Sequence, residues 1–174
     1  MGCEWFESQA IPYMVFGGVA NSYYGNPRQT FDIDVKILLD SEEVSSFIQN
    51  IAGICTILPE KPSRFVEETG VLPVDIEGVR TDIVFAELPF EKEAIERSRT
   101  VLYLDVSMRM CTLEDLILQK AVSTRDRDWM DIERLVELHR EDLDWAYVLG
   151  HASELAAFLD RSEIRDKLSR WRDG

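Results

Sequence analysis

Two aspartates, Asp32 and Asp34, are the residues of this sequence whose type and spacing most directly suggest chemistry. The alternating apolar stretch around them predicts a buried strand, in which side chains two residues apart point the same way. Both carboxylates then share one face, while the alternate residues, beginning with Phe31, face the core. Adjacent carboxylates repel each other unless a cation lies between them, and Mg²⁺ binds such hard oxygen ligands together with substrate phosphates. The pair therefore predicts metal-assisted phosphoryl transfer, against the simpler alternative of a solvated strand end.

A glycine pair and a third aspartate could complete such a site. Gly17 and Gly18 follow a short apolar strand and open a short helix, where bare backbone N–H groups can cradle a phosphate. Any tight turn would use a glycine pair equally well. Asp82 begins a second strand, predicted over 79–86. If that strand lies beside the first, three carboxylates could hold two Mg²⁺ ions, and Asp82 could act as general base for an attacking hydroxyl. The alternative is that Asp82 is a surface residue at a strand end.

The combination of these motifs resembles the nucleotidyltransferase superfamily with the DNA polymerase β fold. More narrowly, about residues 11–138 resemble the small prokaryotic members grouped with the AbiEii-type toxins and the minimal nucleotidyltransferases. The resemblance implies an α+β fold, with a small mixed sheet flanked by helices and a C-terminal helical region after it. It also implies an enzyme that transfers a nucleoside monophosphate from an NTP to an acceptor hydroxyl with two Mg²⁺ ions. Asp32, Asp34 and Asp82 would hold the metals, and Gly17 and Gly18 would hold the β- and γ-phosphates.

A basic and acidic motif in the second half of the chain extends the resemblance. Helical spacing places Lys120 on an inward, apolar stripe, where an ammonium group needs an anionic partner because burying it alone is costly. Asp128 and Asp131 share the inward face of the next predicted helix. The run from Lys120 to Asp131 resembles the Lys/Arg/Asp motif of the AbiEii-type group, which implies that Lys120 contacts the nucleotide, supported by Arg127, Asp128 and Asp131. Alternatively, Asp128 caps its helix, Lys120 snorkels to the surface, and Arg125 and Arg127 are ordinary turn charges.

The loop before the aspartate strand supplies two weaker candidates. Arg28 and Thr30 are placed, by position alone, to touch the triphosphate or the substrate. Tyr23 and Tyr24 precede this loop and could stack on a base, although packing is the simpler interpretation. These four residues therefore add candidates for substrate binding without adding a reaction.

Periodicity and capping signals divide the chain into an α/β core over residues 1–111 and a helical region over 112–174, packed on the core as one compact unit. In the first part, short strands are expected near 65–67 and 74–76, between the helix after Asp40 and the second aspartate strand. In the second part, Thr112 begins a capping box that opens the first of three helices, and Asp144 caps the third.

Composition and charge limit the class of protein. The length of 174 residues and the 45% of hydrophobic residues indicate one globular domain. The net charge of -14 argues against nonspecific binding to nucleic acid or to an anionic membrane. No apolar stretch reaches the roughly 18 residues that a membrane span needs. Cys3, Cys55 and Cys111 are scattered and form no CxxC pair, which favours a reduced, cytoplasmic location.

The acceptor and the activity itself stay open at this stage. The resemblance allows a small molecule such as an aminoglycoside, or a macromolecule such as tRNA or a partner protein; the acidic balance mildly favours a cationic small molecule. The rival hypothesis is a catalytically silent module that binds a nucleotide or a partner protein, for example in a toxin–antitoxin system. An exposed apolar face would then serve a homodimer or that partner.

Overall fold

The residues that the structure describes, 2–174 of a computed structural model, group into two units. The sheet unit contains the residues up to Val19 together with Gln29–Cys111. The helical unit contains Ala20–Arg28 together with Thr112–Gly174. A short early segment of the chain thus groups with helices that follow much later in the sequence.

The seven strands of the described residues form one mixed sheet. Their bounds are β1 (Tyr13–Phe16), β2 (Asp32–Ile37), β3 (Thr56–Ile57), β4 (Val71–Ile76), β5 (Val79–Phe85), β6 (Arg99–Tyr103) and β7 (Val106–Met110). Their order across the sheet is β3-β4-β5-β2-β1-β7-β6. The β2–β5 and β1–β7 pairs are parallel, and the other pairs are antiparallel.

Short helices connect these strands. They are α1 (Gly2–Ser8), α2 (Gly17–Tyr23), α3 (Val44–Ile51), α4 (Pro62–Thr69) and α5 (Pro89–Arg97), of which α2 continues from the sheet unit into the helical unit. Proline stands at the first position of α4 and of α5, where its missing N–H costs nothing. Gly70 ends α4 in the left-handed conformation, with φ of 67°.

One face of the central strands forms the core of the sheet unit. Strand alternation and register place six buried side chains together on that face: Val35, Ile37, Leu72, Val74, Ile83 and Phe85. Aromatic side chains close this core, because Phe47 of α3 packs edge-on against Phe85 and Phe6 of α1 stacks on Tyr13. The three aspartates lie on the opposite face of β2 and β5.

The helical unit continues with four more helices. They are α6 (Leu113–Val122), α7 (Asp126–His139), α8 (Trp145–Leu159) and α9 (Glu163–Asp173). The expected caps are confirmed, since the side chain of Thr112 accepts a hydrogen bond from Asp115 N–H and that of Asp144 accepts one from Tyr147 N–H. The core of the unit consists of fully buried aliphatic side chains, among them Leu116, Ile132, Val148, Ile164 and Leu168.

The α+β fold predicted from the sequence is confirmed, but two local expectations are wrong. Residues 65–67 lie in α4 and not in a strand, because only Val66 of that helix is buried and Pro62 and Gly70 delimit a helix. Phe31 precedes β2 and is 79% exposed, so it does not face the core. Four features were not expected at all: the helices α1 and α9, the short strand β3 and the β6–β7 hairpin.

None of the helices in residues 2–174 combines the length and the apolar character that crossing a membrane requires.

Candidate functional site

Strand register brings the three predicted aspartates to one face of the sheet. In the parallel β2–β5 pair, Asp34 lies opposite Asp82 and Asp32 lies opposite Arg80. Residues in register on neighbouring strands point to the same side, so all three carboxylates share the face opposite the core. The expected pairing of the two aspartate strands is therefore confirmed, and it adds Arg80 to the group.

Each of these carboxylates has a polar neighbour within the sheet unit. Asp34 Oδ2 accepts a hydrogen bond of 3.3 Å from Gly18 N–H, and Asp32 Oδ1 accepts one of 2.8 Å from the hydroxyl of Thr30. The guanidinium of Arg80 contacts both oxygens of Asp82, at 3.1 and 3.4 Å. The predicted candidates Gly18 and Thr30 thus lie directly beside the aspartate pair.

Close contacts with neighbouring side chains explain why positions 17 and 18 are both glycine. Gly17 has a φ of 62°, and a Cβ atom there would lie 1.8 Å from Asp34 Oδ2. A Cβ at Gly18 would lie 2.5 Å from the hydroxyl oxygen of Thr30. The start of α2 therefore lies against Asp34 because position 17 lacks a side chain, and against Thr30 because position 18 lacks one.

The oxygen ligands available here are of the type that a hard divalent cation prefers, although they do not form a complete metal site. Carboxylate oxygens from Asp32, Asp34 and Asp82 on one sheet face are the ligands that Mg²⁺ prefers. Within residues 2–174, however, no three acidic, His or Cys side chains are close enough together to form a metal site. An ion bound through all three would share Asp82 with the guanidinium of Arg80.

A buried lysine lies on the same face of β2, two residues beyond Asp34. Lys36 is 3% exposed and forms an ion pair with Glu91, which is 6% exposed. Burial lowers the pKa of Lys36, and the carboxylate of Glu91 opposes that shift. Glu91 Oε2 also accepts the backbone N–H groups of Glu87 and Leu88 at the start of α5. The pair fixes β2 to the beginning of α5.

Arg80 and Lys36 are the residues that the sequence analysis missed. Strand alternation could have placed both of them, because Arg80 precedes Asp82 by two residues and Lys36 follows Asp34 by two. The identity of their partners could not be obtained in that way.

In the helical unit, Lys120 lies inside a cluster of opposite charge. Its ammonium is buried and contacts Asp131 Oδ2 at 2.6 Å and Asp128 Oδ1 at 3.3 Å. Both aspartates are buried, as their helical spacing predicted. The alternative of a capping Asp128 and a snorkelling Lys120 is wrong, because Arg125 is the N-cap of α7 and Lys120 is enclosed.

The cluster extends to the segment before β2. Arg28 Nε lies 3.3 Å from Asp131 Oδ2, and the side-chain amide of Asn26 donates to Asp131 Oδ1 at 3.3 Å. Two buried nitrogens of Arg28, Nε and Nη1, make no hydrogen bond, although Nε lies within ion-pair distance of Asp131 Oδ2. Arg28 therefore has unused hydrogen-bond donors, but they are buried and an anion could reach them only if the side chain moved.

Asp128 is held in its ionised form. Burial alone would raise the pKa of this carboxyl, but the hydroxyl of Ser123, the ammonium of Lys120 and the guanidinium of Arg125 together lower it below its ordinary value. The side chain of Arg127 is exposed, as is that of Arg125.

The predicted site residues thus divide between the two units. Asp32, Asp34, Asp82, Gly17, Gly18 and Thr30 belong to the sheet unit, and Arg28, Lys120, Arg127, Asp128 and Asp131 belong to the helical unit. The two tyrosines pack against each other edge-on, and His139 Nε2 lies 2.8 Å from the carbonyl oxygen of Tyr24.

Comparison with known proteins finds similarity in structure and not in sequence. No family model and no curated protein matches the sequence. Among solved structures, an antigenic nucleotidyltransferase-like protein from Paracoccidioides brasiliensis is similar with a TM-score of 0.52 and 13% identity, over 96% of this chain and 88% of that one. The antibiotic-resistance factor ANT(2'')-Ia is similar with a TM-score of 0.50 and 12% identity, over 95% of this chain and 88% of that one. At such low identity these likenesses establish the fold.

Proposed function

We propose that this chain, which has the nucleotidyltransferase fold, is a Mg²⁺-dependent nucleotidyltransferase that moves a nucleoside monophosphate from an NTP to an acceptor hydroxyl. The observation that carries the proposal is the register of β2 and β5, which puts Asp32, Asp34 and Asp82 on one face beside the start of α2. The two similar structures support the proposal at the level of the fold.

The chemistry assigned to these residues is in-line displacement at the α-phosphorus. Asp32, Asp34 and Asp82 would hold Mg²⁺, which when bound neutralises charge on the phosphates and on the entering and leaving oxygens. The acceptor oxygen forms a bond to the α-phosphorus, the bond from that phosphorus to the bridging oxygen breaks, and pyrophosphate leaves. Asp82 would accept the hydroxyl proton. The bare backbone of Gly17 and Gly18 would lie along the β- and γ-phosphates.

The helical unit contributes candidate anion contacts. The unused N–H donors of Arg28 support its predicted contact with the triphosphate, because a guanidinium pairs readily with phosphate oxygens. We still assign Lys120 a contact with the nucleotide, with Arg127, Asp128 and Asp131 as supporting residues. Because two buried aspartates already hold the ammonium, such a contact would require it to exchange partners.

The test is calorimetric titration of non-hydrolysable analogues of each NTP, with and without Mg²⁺. We expect Mg²⁺-dependent binding of at least one analogue, and its loss in the double variant Asp32→Asn/Asp34→Asn. The matched control is Asp142→Asn/Asp160→Asn, which makes the same change of charge at two exposed positions of the helical unit. Retained binding in the first variant would contradict the metal assignment.

The second candidate is the silent module, which binds a nucleotide or a partner protein without transfer. It is favoured by the ion pair between Arg80 and Asp82, which occupies the proposed base. A folded sample that binds no nucleotide in the same titration would favour a protein-binding role. A silent module that does bind the nucleotide would release no pyrophosphate from the NTP, which a pyrophosphate assay measures.

A further inference from the structure

One edge of the sheet presents a strand that can pair with another chain. Within residues 2–174, the strand order ends with β6, which neighbours β7 alone. The strand at the opposite edge, β3, has only two residues, whereas β6 has five. The outer side of an edge strand carries backbone N–H and C=O groups that are free to form a further ladder. β6 is therefore the edge with the capacity to bind a strand.

The turn of the β6–β7 hairpin determines which backbone groups face outward. Leu104 and Asp105 have positive φ and form a two-residue turn, on either side of which Tyr103 lies opposite Val106. Residues that flank such a turn form a hydrogen-bonded pair, and hydrogen-bonded pairs then alternate along an antiparallel ladder. Tyr103 and every second residue before it therefore direct their backbone groups towards β7.

Thr100 and Leu102 direct their backbone groups away from β7. Two hydrogen bonds on the far side of β7 support this assignment, because Arg109 N–H donates to the hydroxyl of Tyr13 at 3.3 Å and Cys111 N–H donates to a carbonyl oxygen of β1 at 3.0 Å. Arg109 lies opposite Thr100, so this pair is not hydrogen-bonded. The outward N–H and C=O groups of the edge are thus those of Thr100 and Leu102.

The side chains of this edge are exposed and lack the usual protection. Leu102 is 72% exposed, and Leu104 and Val106 are 80% and 47% exposed. Folded proteins commonly protect an edge strand with charged residues, a proline or a bulge, but positions 100–103 are Thr-Val-Leu-Tyr. An unprotected strand with exposed aliphatic side chains indicates a surface that another strand covers.

The edge is complementary to itself when a second copy runs antiparallel. With Val101 of both copies on a two-fold axis, Thr100 of each copy lies opposite Leu102 of the other. Both residues face outward, so these pairs are hydrogen-bonded and use the outward N–H and C=O groups of both strands. An axis at Leu102 would instead set Thr100 against Leu104, whose left-handed backbone does not continue a strand.

Charge near the edge does not oppose a second copy, although the chain has a net charge of -14. Residues 93–110 contain three acidic and three basic residues, and Glu7 of α1, which is close to Arg109 through a shared tyrosine hydroxyl, brings the sum to -1. Antiparallel pairing also keeps the Asp105 carboxylates of the two copies at opposite ends of the ladder. Parallel pairing would set them side by side, which is destabilising.

We propose that β6 forms an antiparallel pair with β6 of a second copy of this chain, about a two-fold axis at Val101. The two seven-stranded sheets then form one continuous sheet. The Val101 side chains of the two copies meet on one face, and Leu102 packs beside Thr100 of the other copy on the opposite face. Because β1 and β7 separate β6 from the aspartate strand β2, the interface does not depend on the proposed reaction.

The first test is sedimentation velocity of the wild-type chain from about 5 to 500 µM, a range that suits the weak association of a small interface. We expect a monomer that converts to a dimer as concentration rises. A chain that stays monomeric throughout would overturn the proposal. Growth beyond a dimer would also contradict it, because two-fold pairing leaves no free β6 edge.

Two variants test the edge itself. Thr100→Pro removes an outward N–H and no hydrogen bond to β7, and Leu102→Lys places a charge in the interface. Each should weaken dimerisation by at least about tenfold and leave the folded monomer intact by urea unfolding. Phe158→Lys is the matched control, because Phe158 of α8 is 69% exposed, close to the 72% of Leu102. If Thr100→Pro unfolds, Leu102→Lys still decides, and a dimer that it leaves unchanged would contradict the proposal.

Cysteine cross-linking tests the register. In the proposed pair the two Val101 Cα atoms lie about 4.5 Å apart, within reach of a disulfide, whereas the two Leu102 residues are offset along the strands. With glutathione disulfide as oxidant, Val101→Cys should form a covalent dimer, and Leu102→Cys should not. The wild type, with its own three cysteines, is the control. Cross-linking through Leu102→Cys alone would reject the axis at Val101, and a wild-type dimer that neither variant links would place the interface elsewhere.

Discussion

Gly17 and Asp34 lie so close together that position 17 cannot carry a side chain. A Cβ atom there would lie 1.8 Å from Oδ2 and 2.9 Å from Cβ of Asp34. The backbone at Gly17 is also left-handed, with φ of 62°, a conformation that other residues rarely adopt. The glycine is therefore required both by its own conformation and by the carboxylate that it contacts.

Gly17→Ala should disturb the candidate site and the fold together. We expect a loss of about 1–3 kcal/mol in the free energy of unfolding from the left-handed backbone alone, with a displaced Asp34 in any molecule that still folds. Urea unfolding measures the first effect, and titration of the nucleotide analogue measures the second.

The control for that substitution is Gly150→Ala. Gly150 lies inside α8, and no atom would lie within 4 Å of an added Cβ. Because alanine is the better helix former, this variant should gain up to about 1 kcal/mol. Equal effects of the two substitutions would contradict the requirement at position 17.

Removing one partner of the buried Lys36–Glu91 ion pair should lower the free energy of unfolding more than neutralising both partners. Lys36→Met leaves a buried carboxylate without its cation, which costs about 3–5 kcal/mol. Lys36→Met/Glu91→Gln should recover part of that loss, since the amide oxygen can still accept the N–H groups at the start of α5. Urea unfolding checks both variants, with Lys92→Met as the exposed-lysine control. A double variant no more stable than Lys36→Met would contradict this account.

The charge cluster around Lys120 should contribute to stability whether or not it binds a nucleotide. Lys120→Met removes the cation that two buried aspartates share, and we expect a loss of about 3 kcal/mol. Adding Asp131→Asn should cost less in this background than in the wild type, because the carboxylate then has no lysine to lose. Unfolding free energies of the four proteins in this double-mutant cycle measure the coupling. Additive effects would mean that the two residues do not interact.

Asp128 should make stability depend on pH in the acidic range. Its pKa in the folded protein lies below the ordinary value of 3.8, so the unfolded chain binds the proton more tightly. The stabilisation is complete above that ordinary value and is lost as pH falls through the lower, folded pKa. Between pH 5 and pH 2, the unfolding free energy of the wild type should therefore decrease more steeply than that of Asp128→Asn. Asp142→Asn, at an exposed position, should follow the wild type, and identical slopes for all three would contradict the lowered pKa.

The aspartate strands and the inward Lys120 were predictable because they depend on local periodicity. Alternation along a strand gives the shared face of Asp32 and Asp34, and spacing along a helix gives the burial of Lys120, Asp128 and Asp131. Their roles in binding and catalysis stay predictions.

Local sequence signals also explain why some helices and strands were predicted wrongly or missed. Residues 65–67 have too few apolar positions to distinguish one helical turn from a short strand, and the flanking Pro62 and Gly70 were the stronger signals. The hairpin between β6 and β7 turns through Leu104 and Asp105, both with positive φ. Leucine is not a usual residue for such a turn, so the turn had no recognisable signature.

By itself, the sequence determined the order of most strands and helices and the faces on which the three aspartates, Lys120, Asp128 and Asp131 lie, because both follow from periodicities of two and 3.6 residues. Only the tertiary structure decided the partners: Glu91 for Lys36, Arg80 for Asp82, and Asp34 for the bare Cα of Gly17. Such partners depend on strand register, close approach and side-chain direction, which are set when the whole core packs. Local sequence patterns do not contain that information.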